Sequence, residues 1–347
     1  MKRILVTGGA GFIGSNFVHY MLGKYQDCRI VVLDKLTYAG NLDNLKDIAE
    51  DPRYAFVKGD ICDDKVVEEV IARNNIDTVV NFAAETHVDR SLMEAGQFVQ
   101  TDVFGTYILL EASRKLVVER FVQISTDEVY GTVSEAAKED NPLRPSSPYS
   151  ASKAGGEQMV YAYHASYGLS TLVTRSSNNI GPYQYPEKVV PLFITNAIDN
   201  QPLPVYGDGV AVRDYIYVTD HCEAIDLLLH QGKPGESYNV CGGNQVSTLQ
   251  LADAILRLLA KPPSLVQLVA DRPGHDRRYC LDSGKLKSLG WQPSHDFDKA
   301  LEKTVEWYVQ NPWWWRRIKS GEYAEYYRRQ YGHRLSSPMP DKIAEPP

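Results

Sequence analysis

A glycine-rich segment near the amino terminus constrains the fold of this chain more than any other feature. Residues 6–18 read VTGGAGFIGSNFV, so Gly8, Gly11 and Gly14 follow a strand-like stretch and open a stretch of helical period. Glycines permit a tight turn and close backbone approach, and the free N–H groups at a helix start bind phosphate. The segment therefore predicts a strand–loop–helix unit that holds the pyrophosphate of a dinucleotide.

An acidic residue at the end of the second strand-like stretch supports this interpretation. Asp34 lies 20 residues after Gly14, where a carboxylate can bind the ribose hydroxyls of an adenosine. A carboxylate there repels a 2′-phosphate, so the sequence favours NAD over NADP, although the neighbouring Lys35 weakens that preference. The segments 59–61 and 82–87 follow the next two strands and are predicted to hold the adenine and to run beneath the cofactor.

Apolar stretches rich in β-branched residues alternate with stretches of helical period in the first half of the chain. This alternation predicts an α/β fold, a Rossmann-type doubly wound parallel sheet with helices on both faces. Further helices are predicted at 218–230, 251–260 and 298–310, and Thr219 or Asp220 is expected to cap the first of them. The predicted strands are 3–8, 29–34, 54–60, 77–84, 120–125 and 170–178.

The change of pattern after Asn178 predicts a second unit. Loops rich in Pro, Gly and Tyr replace the regular alternation there, as is common around binding sites. We predict an NAD-binding Rossmann domain at 1–180, to which a segment at about 214–242 returns. A smaller C-terminal α/β substrate domain is predicted at 181–335, and a disordered tail at 336–347.

Charge and composition exclude several classes of partner. The net charge of −7 argues against general affinity for nucleic acid or an anionic membrane surface. We see neither a signal peptide nor an apolar run long enough to span a bilayer, so the expected location is cytoplasmic. The five cysteines are scattered, and we assign them neither metal binding nor catalysis.

Tyr149 and Lys153 form a candidate pair for proton transfer. They are four residues apart, which places them on one face of a helix that Ser147 and Pro148 can begin. A free tyrosine has a pKa of about 10, and a nearby ammonium lowers it toward that of a useful base. A surface helix often shows the same spacing, but the preceding dinucleotide fold favours the functional interpretation.

Two adjacent carboxyl groups suggest a second chemical step. Asp127 and Glu128 follow a buried strand in STDEVYG, where fold stability alone does not require them. Once the C4 hydroxyl of a hexose is a ketone, the C5 hydrogen becomes acidic and the C6 oxygen becomes a leaving group. Coupled titration allows one carboxyl group to act as the acid while the other acts as the base. The alternatives are a solvated acidic pair or a helix cap.

These motifs resemble the extended short-chain dehydrogenase/reductase family. Together with AAETHVDRS at 83–91, NNIGPYQYPEKVVP at 178–191, VRDYIYVTDH at 212–221 and DRPGHDRRY at 271–279, they resemble its dTDP-glucose 4,6-dehydratases from about Met1 to Trp315. The resemblance implies that Tyr149 is the base at the C4 hydroxyl, that Lys153 binds the nicotinamide ribose and that Thr126 holds the reacting oxygen. It further implies that Asp127 is the acid toward the C6 oxygen and Glu128 the base at C5.

The resemblance also extends the set of predicted contacts. With it, the predicted NAD contacts are Gly8, Gly11, Phe12, Ile13, Gly14, Asp34, Lys35, Leu36, Thr37, Asp60, Ile61, Phe82, Ala83, Ala84, Thr101, Tyr149, Lys153 and Asn179. The predicted contacts of the nucleotide-sugar substrate, dTDP-glucose, are Thr86, Thr126, Asn178, Glu187, Lys188, Val189, Pro204, Tyr206, Arg213, Thr248, Arg272 and His275.

Chemistry gives some of these substrate contacts a role. Arg213, Arg272 and His275 are candidates for the pyrophosphate, and Pro204 with Tyr206 could sandwich the base. Any one of these cations could equally be a surface ion pair. Thr248 stands where the family pattern has an Asn, and because Thr lacks the paired amide donor and acceptor, the choice between thymine and another pyrimidine stays open.

Two alternatives to a dehydratase stay open. A UDP-sugar 4-epimerase or decarboxylase of the same family is the first, although such epimerases usually have small residues in place of Asp127 and Glu128, and the decarboxylases tend to keep only the Glu. An idle NAD-binding or nucleotide-binding regulator is the second. The resemblance also implies a homodimer joined through helices around 92–117 and 149–167, and packing of the small domain by NPWWWRR at 311–317.

Overall fold

The structure, a computed structural model, describes residues 2–271, 277–320 and 322–336. The strands of this part of the chain are β1 (Arg3–Thr7), β2 (Arg29–Asp34), β3 (Tyr54–Lys58), β4 (Thr78–Asn81), β5 (Arg120–Thr126), β6 (Thr171–Ser176), β7 (Asn178–Ile180), β8 (Leu203–Tyr206), β9 (Val212–Tyr217), β10 (Glu236–Val240), β11 (Gln245–Ser247) and β12 (Val266–Val269).

Helices separate most of these strands. They are α1 (Phe12–Lys24), α2 (Asp64–Arg73), α3 (Val88–Ser91), α4 (Ala95–Phe98), α5 (Thr106–Lys115), α6 (Pro148–Tyr167), α7 (Val189–Ile198), α8 (Val218–Gln231), α9 (Thr248–Leu258), α10 (Gly284–Lys287), α11 (Phe297–Gln310), α12 (Pro312–Lys319) and α13 (Glu322–Ser336). A π-helical turn at Val99–Gly105 leads into α5, and single 3₁₀ helices occupy Leu42–Ile48, Asp127–Tyr130 and Pro263–Leu265.

The main sheet is parallel and has seven strands in the order β10-β6-β5-β4-β1-β2-β3. The order reverses between β1 and β4, and open parallel sheets bind ligands at the carboxyl ends of the strands beside such a switch point. β11, β9 and β7 form a second small sheet, and β12 pairs with β8. This is the predicted doubly wound α/β fold with a smaller C-terminal α/β unit.

Buried apolar side chains cover both faces of the main sheet. One cluster includes Phe17 on α1 and Leu228 on α8, and the opposite cluster includes Leu109 on α5 and Val160 on α6. A third core fills the C-terminal unit around Tyr308, Trp314 and Trp315, so part of the predicted tryptophan cluster packs inside the protein. No helix in the described part of the chain has the length and apolar character needed to cross a bilayer.

Several local predictions need correction. The strand predicted at 170–178 is interrupted at Ser177, because the chain leaves the main sheet after β6 and pairs through β7 with β9. α8 begins at Val218 without a side-chain cap. Asp220 instead accepts hydrogen bonds from the backbone N–H of His295 at 3.0 Å and from its ring at 2.8 Å, so neither proposed cap is used.

The structure describes the predicted returning segment 214–242 in full and only the first residue of the predicted tail 336–347. β10 lies inside the segment 214–242 and forms an edge of the main sheet next to β6, whereas β9 belongs to the small sheet. Of the predicted tail 336–347, Ser336 is the last residue of α13, and residues 337–347 lie outside the described part of the chain.

Candidate active site

The glycine loop between β1 and α1 forms a cradle that only glycine backbones permit. Gly8 has a φ of +65°, and a Cβ on it would lie 2.6 Å from the backbone nitrogen of Ala83. A Cβ on Gly14 would lie 2.4 Å from the carbonyl oxygen of Gly8. The helix and the loop after β4 can approach this closely because those side chains are missing, and the space left over the start of α1 fits a pyrophosphate.

Asp34 occupies the position expected for a ribose-binding carboxylate and also shapes the loop. Its two oxygens accept the backbone N–H groups of Ala10 at 3.0 Å and of Leu36 at 2.8 Å. Burial raises the pKa of Asp34, and these two hydrogen bonds oppose the rise. The positive charge of Lys35 was the one feature that weakened the predicted preference for NAD over NADP. The Lys35 ammonium lies 2.7 Å from Asp60, so a carboxylate already pairs with this charge.

A cavity of about 280 Å³ runs from this cradle to the end of β5. Two sets of predicted contacts meet on its wall, those of the cofactor and those of the reacting sugar. The wall residues among them are Gly8, Gly11, Phe12, Ile13, Gly14, Asp34, Lys35, Thr37, Asp60, Ile61, Phe82, Ala83, Ala84, Thr86, Thr101, Thr126, Asp127, Glu128, Tyr149, Lys153, Asn178, Asn179 and Lys188. The predicted contacts that do not line it are Leu36, Glu187, Val189, Pro204, Tyr206, Arg213 and Thr248. Arg272 and His275 lie outside the described residues.

Helix α6 presents Tyr149 and Lys153 to this cavity. Ser147 caps the helix in a reciprocal capping box and Pro148 occupies its first turn, as predicted. The Lys153 ammonium is buried and donates to the Ile124 carbonyl oxygen at 2.7 Å, which fixes it against the end of β5. Burial lowers the pKa of Lys153, while the Asp102 carboxylate opposes that shift.

The electrostatic surroundings of Tyr149 keep its phenol protonated in the absence of a bound cation. Burial raises the pKa of Tyr149 well above its usual value, and the negative charges of Glu128 and Asp102 raise it further. A hydrogen bond with the Thr126 hydroxyl acts in the opposite direction. Tyr149 therefore needs a positive charge in the cavity before it can act as a base near neutral pH.

Thr126 begins the 3₁₀ helix that carries Asp127 and Glu128. Its hydroxyl oxygen accepts the Glu128 backbone N–H at 3.2 Å, and its hydroxyl donates to Asp127 Oδ1 at 3.1 Å. Asp127 is buried, and its Oδ2 has no hydrogen-bond partner among the described residues. Burial and then the Glu128 charge raise the pKa of Asp127 to about 8, so at neutral pH it holds a proton beside Glu128.

The segments after β4 and β7 meet at the cavity wall, where Thr86 and Lys188 both lie. The Lys188 ammonium donates to the Thr86 carbonyl oxygen, and Glu187 Oε2 accepts from Arg90 at 3.1 Å. The guanidinium of Arg90 also lies 3.8 Å from the ring centroid of Tyr38. Sequence reasoning quoted the segment that contains Arg90 but gave it no role, because its partners are distant in sequence.

Asp102 is a second residue that sequence reasoning missed. It lies in the π-helical turn before α5 and is 1% exposed. Its oxygens accept the Glu85 backbone N–H at 3.0 Å and the Ser152 hydroxyl at 2.6 Å. Burial raises the pKa of Asp102 to about 6. The only sequence signal was a carboxylate inside the stretch FVQTDVFG, which carries no other charge.

Asn179 lies on the cavity wall, but its side-chain amide is occupied within the protein. The amide nitrogen donates to the Ser176 hydroxyl at 2.6 Å and to the Ser177 carbonyl at 3.0 Å. The amide oxygen lies 3.0 Å from Nδ1 of the buried His221. These bonds fix the strand end, so a contact with the cofactor would come from the backbone or after rearrangement.

The residues predicted to bind the nucleotide part of the substrate lie in the C-terminal unit. Tyr206 donates to Asp89 at 3.2 Å, and its ring packs on that of Tyr331 in α13 with centroids 6.1 Å apart. The Arg213 guanidinium lies 4.3 Å from the Tyr279 ring centroid. The predicted base and pyrophosphate contacts, which include Pro204 on β8 and Thr248 at the start of α9, remain predictions.

Comparisons with known proteins agree with this geometry. A family profile described as GDP-mannose 4,6 dehydratase matches residues 5–304. A dTDP-glucose 4,6-dehydratase of Streptomyces niveus is 49% identical over 328 residues, which cover 93% of this chain and 97% of that protein.

Solved structures show the same likeness. A dTDP-glucose 4,6-dehydratase of Streptomyces venezuelae with NAD and TYD bound has a TM-score of 0.89 and 47% identity over 91% of this chain and 100% of that one. A UDP-glucose 4-epimerase of Thermus thermophilus in complex with NAD has a TM-score of 0.83 and 34% identity over 89% of this chain and 99% of that one. The chain belongs to the GDP-mannose 4,6 dehydratase family of extended short-chain dehydrogenases/reductases, and within it to the dTDP-glucose 4,6-dehydratases.

Proposed function

We propose that this chain is an NAD-retaining hydro-lyase that converts dTDP-glucose into its 4-keto-6-deoxy product. The observation that carries the proposal is the position of Asp127 and Glu128 on the wall of the same cavity as Tyr149 and Lys153. An alcohol oxidation requires only the Tyr–Lys pair, whereas loss of water from the neighbouring carbons also requires an acid and a base.

The first step is oxidation at C4 of the glucose. NAD in the glycine cradle supplies a hydride acceptor that later becomes the donor, so it is not consumed. Lys153 binds the nicotinamide ribose, and Tyr149 removes the C4 hydroxyl proton. Thr126 hydrogen-bonds with the Tyr149 phenol and thereby favours its ionised form.

The second step is elimination of water across C5 and C6. Glu128 removes the C5 proton, which the C4 ketone has acidified, and Asp127 protonates the departing C6 oxygen. The pKa of Asp127, about 8, supports this assignment because the group is protonated near neutral pH. The hydride then enters at C6 and Glu128 returns a proton to C5.

The remaining predicted contacts hold the nucleotide. We assign Arg213, Arg272 and His275 to the pyrophosphate, and Pro204 and Tyr206 to the base. Glu187 and Lys188 are tied to the loop after β4, which supports roles for them beside the sugar. The other substrate positions, from the same segments, are Thr86, Asn178, Val189 and Thr248.

We further propose that the protein is a homodimer and is located in the cytoplasm. The helices expected to join the protomers carry exposed large apolar side chains, which is typical of an interaction surface. In the segments 92–117 and 149–167 these side chains are Leu92, Met93, Val99, Phe104, Tyr107, Leu116, Val117, Tyr161 and Tyr167. The division into 1–180 and 181–335, with the return of a segment from 214–242, is part of the same proposal.

Turnover in deuterated water without added NAD tests the reaction. We expect the wild type to convert dTDP-glucose into a ketone that has lost one water and carries deuterium at C5, detected by mass spectrometry. The Glu128→Gln variant should lose both the elimination and the C5 label. Epimerised or decarboxylated UDP-sugar, with no dehydrated dTDP-sugar, would contradict the proposal, and so would unchanged activity in Glu128→Gln and Tyr149→Phe.

A further inference from the structure

After one cycle of the proposed dehydration, Tyr149 holds a proton that Asp127 lacks. The hydride that leaves C4 re-enters at C6, and the proton that Glu128 takes from C5 is matched by the one it returns. Tyr149, however, ends the cycle with the proton of the C4 hydroxyl, while Asp127 has lost its proton to the departing water. The sugar loses only water, so the enzyme must move one proton from Tyr149 to Asp127 before the next turnover.

The hydroxyl of Thr126 lies between these two groups in the structure. It donates to Asp127 Oδ1 at 3.1 Å, it acts to lower the pKa of Tyr149, and all three side chains line the same cavity. Its oxygen also accepts the Glu128 backbone N–H at 3.2 Å. A hydroxyl has one hydrogen, so Thr126 can donate either to Asp127, as it does here, or to the Tyr149 phenolate, and one lone pair is left to accept a proton from the phenol.

We propose that Thr126 relays this proton from Tyr149 to Asp127 and so resets the enzyme within the active site. The inference rests on the proposed dehydration. The phenol proton passes to Thr126 Oγ1 while the Thr126 proton passes to Asp127 Oδ1. Two O–H bonds break, two form and no electrons are transferred. The products are the phenolate and the carboxylic acid that the next turnover needs, and the hydrogen bonds along the chain reverse direction.

The surroundings favour a relay over exchange with solvent. Thr126 is 8% exposed and Asp127 is 3% exposed, so little of either side chain is in contact with solvent. Asp127 Oδ2 has no partner among the described residues and is left for the C6 oxygen of the sugar. Rotation of the protonated carboxyl group about its Cβ–Cγ bond brings the acidic hydrogen from the relay side to the sugar side.

The direction of transfer also follows from the local charges. The Glu128 carboxylate and burial make Asp127 hold a proton tightly. A cation bound beside Tyr149 has the opposite effect on the phenol and favours the phenolate. The relay is therefore driven toward Asp127 when that positive charge is present beside Tyr149.

A proton measurement on the wild-type holoenzyme tests the relay without any variant. Stopped-flow mixing with dTDP-glucose in weak buffer with a pH indicator should show product formation with no transient release of protons into solution. Release of one proton per active site, followed by uptake of one, would overturn the relay. It would leave the dehydration itself intact, because the 4-keto product still forms.

Two variants then isolate the Thr126 hydroxyl. In Thr126→Val we expect one turnover followed by turnovers slower by about 10²-fold, the lower end of what a positioned proton-transfer group contributes. Imidazole or formate should restore the later turnovers, since small acids and bases can carry the proton. Thr126→Ser keeps the hydroxyl and should show neither the burst nor the dependence on buffer. Equal slowing of first and later turnovers in Thr126→Val, with no rescue, would contradict the relay.

Discussion

The protonated state of Asp127 has a consequence for stability that can be measured without substrate. Its pKa is about 8 in the folded protein, against an ordinary value of 3.8. Between these values the folded protein holds a proton that the unfolded chain has released. Wild-type stability therefore falls as the pH rises through this window, by about 1.4 kcal/mol per pH unit.

Replacing Asp127 with Asn removes this penalty. The variant and the wild type should have similar free energies of unfolding near pH 3, where the carboxyl group is mostly protonated in both states. As the pH rises, the free energy of unfolding of the variant should increase relative to that of the wild type. The variant should be more stable by about 4 kcal/mol at pH 7, and the difference should level off above pH 8. The same variant should lose dehydration, because Asn cannot protonate the C6 oxygen.

Urea unfolding at several pH values, followed by tryptophan fluorescence, measures this difference. Asp140→Asn is the matched control, since it makes the same substitution at an exposed carboxylate. A difference between Asp127→Asn and wild type that does not change with pH would refute the assigned protonation state. A variant that becomes less stable relative to the wild type as the pH rises would also refute the assigned protonation state.

Three further predictions concern the cradle, the base and the core. Gly14→Ala should leave the purified protein with at least about tenfold less NAD, because its Cβ would meet the Gly8 oxygen at 2.4 Å, whereas Gly23→Ala in the same helix meets nothing within 4 Å and should retain NAD. Tyr149→Phe should lower kcat by about 10² to 10⁴ with substrate affinity unchanged by calorimetry, and a comparable loss of affinity would mean that the phenol mainly binds. Glu157→Gln leaves the buried Arg175 without its carboxylate partner at 2.8 Å and should cost about 3 to 5 kcal/mol in urea unfolding. Recovery of that stability in the double variant with Arg175→Met would support the cause, and its absence would contradict it.

The fold was predictable from sequence where local pattern was sufficient. Alternating strands and helices gave the parallel sheet, since each βαβ unit has a recognisable period. The predicted strand at 170–178 failed at Ser177 because the change of sheet depends on β9, about 40 residues away. Asp220 failed as a cap because its partner, His295, lies 75 residues away.

The same distinction applies to the active site. Short spacings found the glycine cradle, the Tyr149–Lys153 face and the adjacent Asp127 and Glu128. They could not find Asp102, because its importance comes from burial and from bonds to two other segments.

The sequence by itself determined which chemical groups this protein has and which of them neighbour each other along one helix or turn. Such neighbours are set by a period of a few residues, which tertiary contacts do not alter. Only the tertiary structure decided the protonation of Asp127, the fixing of the Lys153 ammonium on the Ile124 carbonyl and the position of the Thr126 hydroxyl between two reacting groups. Burial and the charges of distant segments set those properties, and both exist only once the chain has folded.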